Sequence, residues 1–105
     1  MDLIALQDTL RRFAAERHWE PYHTPKNLAT ALMVEAAELA EIFQWMTPEE
    51  SMEAAQDPDC KQHIGEEIAD VLMYLMRVVD QTGIDLDQAV RDKLVKNAHK
   101  YPRPM

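Results

Sequence analysis

Three times in this chain a residue that caps helices is followed directly by proline: Thr24-Pro25, Thr47-Pro48 and Asp57-Pro58. A capping oxygen satisfies one of the free N–H groups that open a helix. Proline at the first helical position has no N–H to satisfy and already holds a helical φ. Each pair therefore marks a helix start. Between the starts, only two glycines occur in 105 residues, against a usual ~7%, and no stretch alternates polar and apolar residues as a half-buried strand would. The chain is expected to be all-α, a single domain over residues 1–105 with a four-helix-bundle-like architecture. Asp2 caps a first helix from Leu3 to about Arg17, with Leu3, Leu6, Leu10 and Phe13 at helical spacing. The second helix runs from the Thr24 cap to about Trp45, and a short third ends near Ala55. A long helix follows from Asp57 to Gly83, where glycine suits a left-handed C-cap. Asp85 caps the last helix, which reaches Lys100 ahead of Pro102 and Pro104.

The second and long helices carry carboxylates where apolar residues are expected. At about 100° per residue, Ala31, Glu35, Glu38, Ile42 and Trp45 fall on one stripe. A matching stripe on the long helix reads His63, Glu67, Asp70, Tyr74 and Arg77, with Glu66 only about 40° from Asp70, so spacing alone leaves Glu66 and Glu67 open. Leu32, Leu39, Ile68, Val71, Leu72 and Leu75 make the rest of both helices largely apolar. Two carboxylates on each of two packed helices repel and cost several kcal/mol to desolvate. No Lys or Arg follows Lys26 on the second helix, so two readings stand: a hard divalent cation supplies the compensating charge, or the acids lie on a solvated polar face. Di-iron bundles draw on Glu-x-x-His. Here the position after each Glu-x-x holds Glu38 or Asp70, which points to Mg²⁺, or Mn²⁺ as a substitute, and to phosphate chemistry.

Charge is equally uneven along the chain. The formal net charge of -8 lies wholly between Asn27 and Cys60, a segment with eight acids and no Lys or Arg. An acidic chain without a basic run is ill suited to nucleic acid, and no apolar run approaches the ~20 residues of a membrane span. The Met-Asp-Leu-Ile start lacks the basic and apolar regions of a signal peptide, and the single Cys60 can form no internal disulfide; the expected compartment is the cytoplasm. Helices this apolar in so small a chain predict a homo-oligomer, at least a dimer.

The residues resemble a known family. Val34-Glu35-Ala36-Ala37-Glu38-Leu39-Ala40-Glu41, followed by Glu66-Glu67-Ile68-Ala69-Asp70-Val71-Leu72, is similar to the Glu-x-x-Glu…Glu-x-x-Asp signature of the MazG-like all-α nucleoside triphosphate pyrophosphohydrolases. Arg17-His18-Trp19-Glu20, His23 to Leu28, Phe43-Gln44-Trp45, Lys93, Asn97 and Tyr101-Pro102 look like the dCTP pyrophosphatase branch. The resemblance implies that Glu35, Glu38, Glu67 and Asp70 bind Mg²⁺, which selects Glu67 over Glu66. It implies that His23, Trp45 and Tyr74 bind the nucleotide with Trp19 close to the base, that Lys93 and Asn97 meet the sugar or phosphates, and that the chain assembles as a dimer or tetramer. The expected reaction is hydrolysis of a nucleoside triphosphate, dCTP or a modified pyrimidine nucleotide, to monophosphate and pyrophosphate. Glu38 or Glu41 would orient the attacking water or take its proton. The competing expectation is a non-enzymatic helical module whose acidic segment faces a basic partner.

Overall fold

The computed structural model describes all 105 residues and is entirely helical. Five α-helices follow one another: α1 (Leu3–Glu16), α2 (Pro25–Phe43), α3 (Pro48–Glu53), α4 (Pro58–Thr82) and α5 (Leu86–Lys100), with single 3₁₀ turns at Glu20–Tyr22 and Ala54–Gln56. The caps form as the sequence dictates. Ile4 and Ala5 N–H donate to the Asp2 carboxylate, Asn27 N–H to the Thr24 hydroxyl, and Gln88 N–H to Asp85. Thr47 and Glu50 build a full capping box, each accepting from the other's backbone N–H at 3.1 and 2.9 Å. Gly83 closes α4 at φ 66°, a conformation that costs glycine nothing.

α4 is the central element. α2 packs along it most extensively and α1 lies against its second half. The apolar centre is small: Ala14, Leu28, Met76 and Val79 are buried, as are two charged residues, Glu67 and Arg77. α5 stands apart from this three-helix unit and buries none of its residues. The radius of gyration is 16.9 Å, against about 13 Å for a compact domain of this size. Met33 and Val34 on α2, Ile68 and Leu75 on α4, and Val90, Leu94 and Val95 on α5 are exposed. No helix is long and apolar enough to cross a membrane.

α2 ends at Phe43, two residues before the expected Trp45. The chain tightens there into a turn in which Gln44 N–H donates to the Glu41 carbonyl and Met46 N–H to the Phe43 carbonyl. No glycine or proline marks the change, so the sequence carries no stop signal until Thr47-Pro48.

Candidate active site

The packing of α2 on α4 turns the two carboxylate stripes toward each other. Glu35 and Glu38, one turn apart on α2, and Glu67 on α4 each offer an oxygen within 4.8 Å of the others. One oxygen of Glu35 and one of Glu67 are buried without any hydrogen-bond partner. Such groups are costly to leave unpaired. Burial first, then the neighbouring carboxyls of Glu38 and Glu67 that share its proton, push the Glu35 carboxyl up to about 7, with the charges of Glu38 and Asp70 adding to the effect. Converging oxygens with no donor suit a hard dication, which supplies positive charge and accepts oxygen ligands only. The donor set fits the cation that the sequence predicts.

Two hollows flank the cluster. The first, about 160 Å³, is lined by Leu10, Phe13 and Ala14 of α1, Trp19 and His23 of the connecting segment, and Asp70, Met73, Tyr74 and Arg77 of α4. Its shape follows from the way α1 ends. His18 adopts φ 57°, and the chain reverses with His18 N–H donating to the Ala15 carbonyl and Trp19 N–H to the Ala14 carbonyl. This is the Schellman pattern, in which the residue after the left-handed one folds back on the helix. Trp19 therefore meets Phe13 edge-on at 5.6 Å between ring centroids and lies 5.8 Å from the His23 ring. The Arg17 guanidinium covers the Phe13 ring. The result is a concave apolar site with a few polar groups, the usual character of a small-molecule pocket. The second hollow is lined by Glu38, Glu41, Ile42, Gln44, Met46, Cys60, His63 and Glu67. There the His63 Nε2 atom lies 3.6 Å from a Glu67 oxygen.

The structure thus brings Glu35, Glu38 and Glu67 into one cluster, places Glu41 at its edge, and gathers Trp19, His23 and Tyr74 into the aromatic hollow. Asp70 falls between the two: it lines the hollow while its charge reaches Glu35. Trp45, Lys93 and Asn97 line neither hollow. Trp45 is 90% exposed beyond α2, and Lys93 and Asn97 lie on α5. The wall formed by Leu10, Phe13 and Met73 was not among the expected site residues. Leu10 and Phe13 were legible only as core residues of an amphipathic helix, and a cavity wall has that same pattern.

The surrounding charges are ordered. Asp80 accepts from Gln7 at 2.9 Å, from Arg11 through both of its oxygens, and from Arg77 at 2.8 Å. The Arg11 hydrogen bond is the main reason that the Asp80 carboxyl is held down at about 2. Burial, and then the Arg77 charge, lower the His23 pKa.

Known proteins resemble this chain. Residues 30–105 match the model of the MazG-like family. dCTP pyrophosphatase 1 of Bos taurus is 44% identical over 90 residues, which are 86% of this chain and 53% of that protein. The Homo sapiens protein of the same name is 43% identical over the same shares. The chain spans about half the length of these curated relatives. The crystal structure of a pyrophosphatase from Archaeoglobus fulgidus matches with a TM-score of 0.87 and 46% identity, covering 94% of this chain and 91% of that one.

Proposed function

Because the chain belongs to the MazG-like family, we propose that it hydrolyses a deoxynucleoside triphosphate, with dCTP or a modified cytosine nucleotide as the leading substrate, to the monophosphate and pyrophosphate. The observation that carries this reading is the pair of buried, unpartnered oxygens on Glu35 and Glu67, in a trio of converging carboxylates that Asp70 links to a hollow walled by Trp19, His23 and Tyr74. An interaction module would have no use for carboxylates that converge and repel.

In this reading Glu35, Glu38, Glu67 and Asp70 hold Mg²⁺, with Mn²⁺ as a substitute. The chemistry such a cation would supply there is positive charge for the phosphates and for the transition state, and a lowered pKa for nearby water. The chain's own groups supply the rest. Trp19 and Tyr74 offer flat faces for the base, and His23 a polar edge. Glu41 borders the cluster without belonging to the close trio, so its oxygens are free to orient the attacking water and accept its proton; Glu38 is the other candidate. No covalent intermediate is needed, because water attacks phosphorus directly and pyrophosphate leaves with the pair of electrons from the broken P–O bond.

The active assembly is a homo-oligomer, a dimer or a tetramer. The exposed apolar residues of α2, α4 and α5 and the unpacked α5 support this. A second copy laid on those faces would also give Trp45, Lys93 and Asn97 a site to complete, with the lysine meeting phosphate. The work of such an enzyme is upkeep of the cytoplasmic nucleotide pool. Thermal melts test the reading. Mg²⁺ together with dCTP should raise Tm and quench tryptophan fluorescence, since a ligand that binds only the native state stabilises it. If no triphosphate shifts Tm or fluorescence in the presence of Mg²⁺, the reading fails.

A further inference from the structure

The ordered charges behind the aromatic hollow end on one atom of His23. Arg77 is 4% exposed, one of the two buried charged residues of the chain. Its Nη1 donates to Asp80 at 2.8 Å and its Nε donates to His23 Nδ1 at 3.2 Å. Asp80 is fixed in turn by Gln7 and Arg11 of α1, so the guanidinium is clamped from a second helix rather than hanging from its own. An arginine N–H can only donate. His23 Nδ1 must therefore carry a lone pair, and the proton of the neutral ring must sit on Nε2. A protonated imidazole would set an N–H and a positive charge against the same guanidinium. The lowered His23 pKa agrees with a ring that stays neutral.

We propose that Arg77, clamped through Asp80 by Gln7 and Arg11, is a positioning residue that locks His23 as an Nε2–H donor toward the ligand in the aromatic hollow. The inference rests on the reading that this hollow takes the base of the substrate. It adds a rule of selection: the fixed donor favours a base edge that presents an acceptor, such as a ring nitrogen or carbonyl of a pyrimidine, and disfavours an edge presenting N–H. A histidine free to switch tautomers would read both edges and discriminate neither. Of the other polar groups lining the hollow, the Asp70 carboxylate accepts, the Tyr74 hydroxyl both donates and accepts, and the Trp19 indole N–H and the Arg77 guanidinium are donors by their chemistry; His23 alone could have been either donor or acceptor, and Arg77 decides which.

Two nearly isosteric variants separate the donor from the packing. Arg77→Gln places an amide N–H at the chain position of the arginine Nε, and Arg77→Met places a methyl group there. In both, Asp80 keeps Arg11 and Gln7, so no buried carboxylate is stranded. Long-range proton–nitrogen NMR spectra of histidine-labelled protein report which ring nitrogen carries the proton. The wild type and Arg77→Gln should show His23 protonated on Nε2. Arg77→Met should show mixed tautomers, and its KM for dCTP should rise about tenfold with kcat little changed, the effect of losing one oriented hydrogen bond. Wild-type His23 protonated on Nδ1 overturns the proposal. So does an Arg77→Met protein that keeps both the tautomer and the KM, or a Gln variant as impaired as the Met variant. If the wild type turns over no triphosphate, the functional reading falls and takes the base-selection rule with it, while the spectra alone decide the tautomer lock.

Discussion

Glu35→Gln should stabilise the metal-free protein while weakening its response to metal. The Glu35 carboxyl rises from an ordinary 4.5 to about 7 because it sits half-buried among Glu38, Glu67 and Asp70. The native state therefore holds a proton that the unfolded chain releases. The stability this confers is full below about pH 4.5 and is lost as pH rises through about 7. Above that, charging the carboxyl costs the native state up to about 3 kcal/mol, from a shift of roughly 2.5 units at 1.36 kcal/mol each. Water reaching the half-buried group screens part of this, which leaves about 2 kcal/mol. Glutamine stays neutral, and its amide can donate to the carboxylates of Glu38 or Glu67. Urea melts followed by far-UV circular dichroism, at one protein concentration and in excess chelator, give the comparison. Near pH 8 the variant should be about 2 kcal/mol more stable than the wild type. Near pH 5 the two should nearly coincide. Added Mg²⁺ should stabilise the wild type strongly and the variant weakly, the trade expected of residues kept for function rather than stability. A variant less stable than the wild type near pH 8 in chelator would refute the idea that these carboxylates repel in the apo protein.

Other perturbations follow from local geometry. His18→Gly removes a side chain from the left-handed position that ends α1 and should raise stability by up to about 1 kcal/mol, read as a higher Tm; a lower Tm would contradict the assigned turn. Thr47→Ala breaks the capping box of α3 and should cost about 1 kcal/mol in urea melts, with dCTP turnover unchanged. Asp80→Asn should cost about 3 kcal/mol at neutral pH, because Arg77 loses its buried counter-charge. In the wild type the depressed Asp80 pKa contributes stability that is present above about pH 4 and lost as pH falls through about 2, so the Asn variant should show a shallower acid limb in melts taken across that range.

The parts of this protein that the sequence announces are those set by chemistry within a few residues. Thr24-Pro25, Thr47-Pro48 and Asp57-Pro58 start helices because cap and proline act on the adjacent turn, and all three do so. The pairing of Glu35 and Glu38 on one face needs only the helical repeat. What the repeat could not supply is the partner across the gap. Glu67 and Asp70 share a stripe, yet α2 draws Glu67 into the cluster while Asp70 faces the aromatic hollow. The clamp on Asp80 joins residues more than sixty positions apart, from Gln7 and Arg11 to α4. In sequence Arg77 continues the stripe as a candidate without a partner; His23 and Asp80 supply its role only in the fold. The place of α5 is the least legible part: Val90, Leu94 and Val95 read as a helix face to be covered, and the chain leaves all three exposed.

The central claim is that the three converging carboxylates and the aromatic hollow form one hydrolytic site. Phosphorus NMR of dCTP incubated with the protein and Mg²⁺ tests it most directly, run beside Glu67→Gln and a chelator control. The account predicts dCMP and pyrophosphate in equal amounts from the wild type and none from the variant or in chelator. Release of inorganic phosphate with dCDP, or equal turnover by Glu67→Gln, would contradict it.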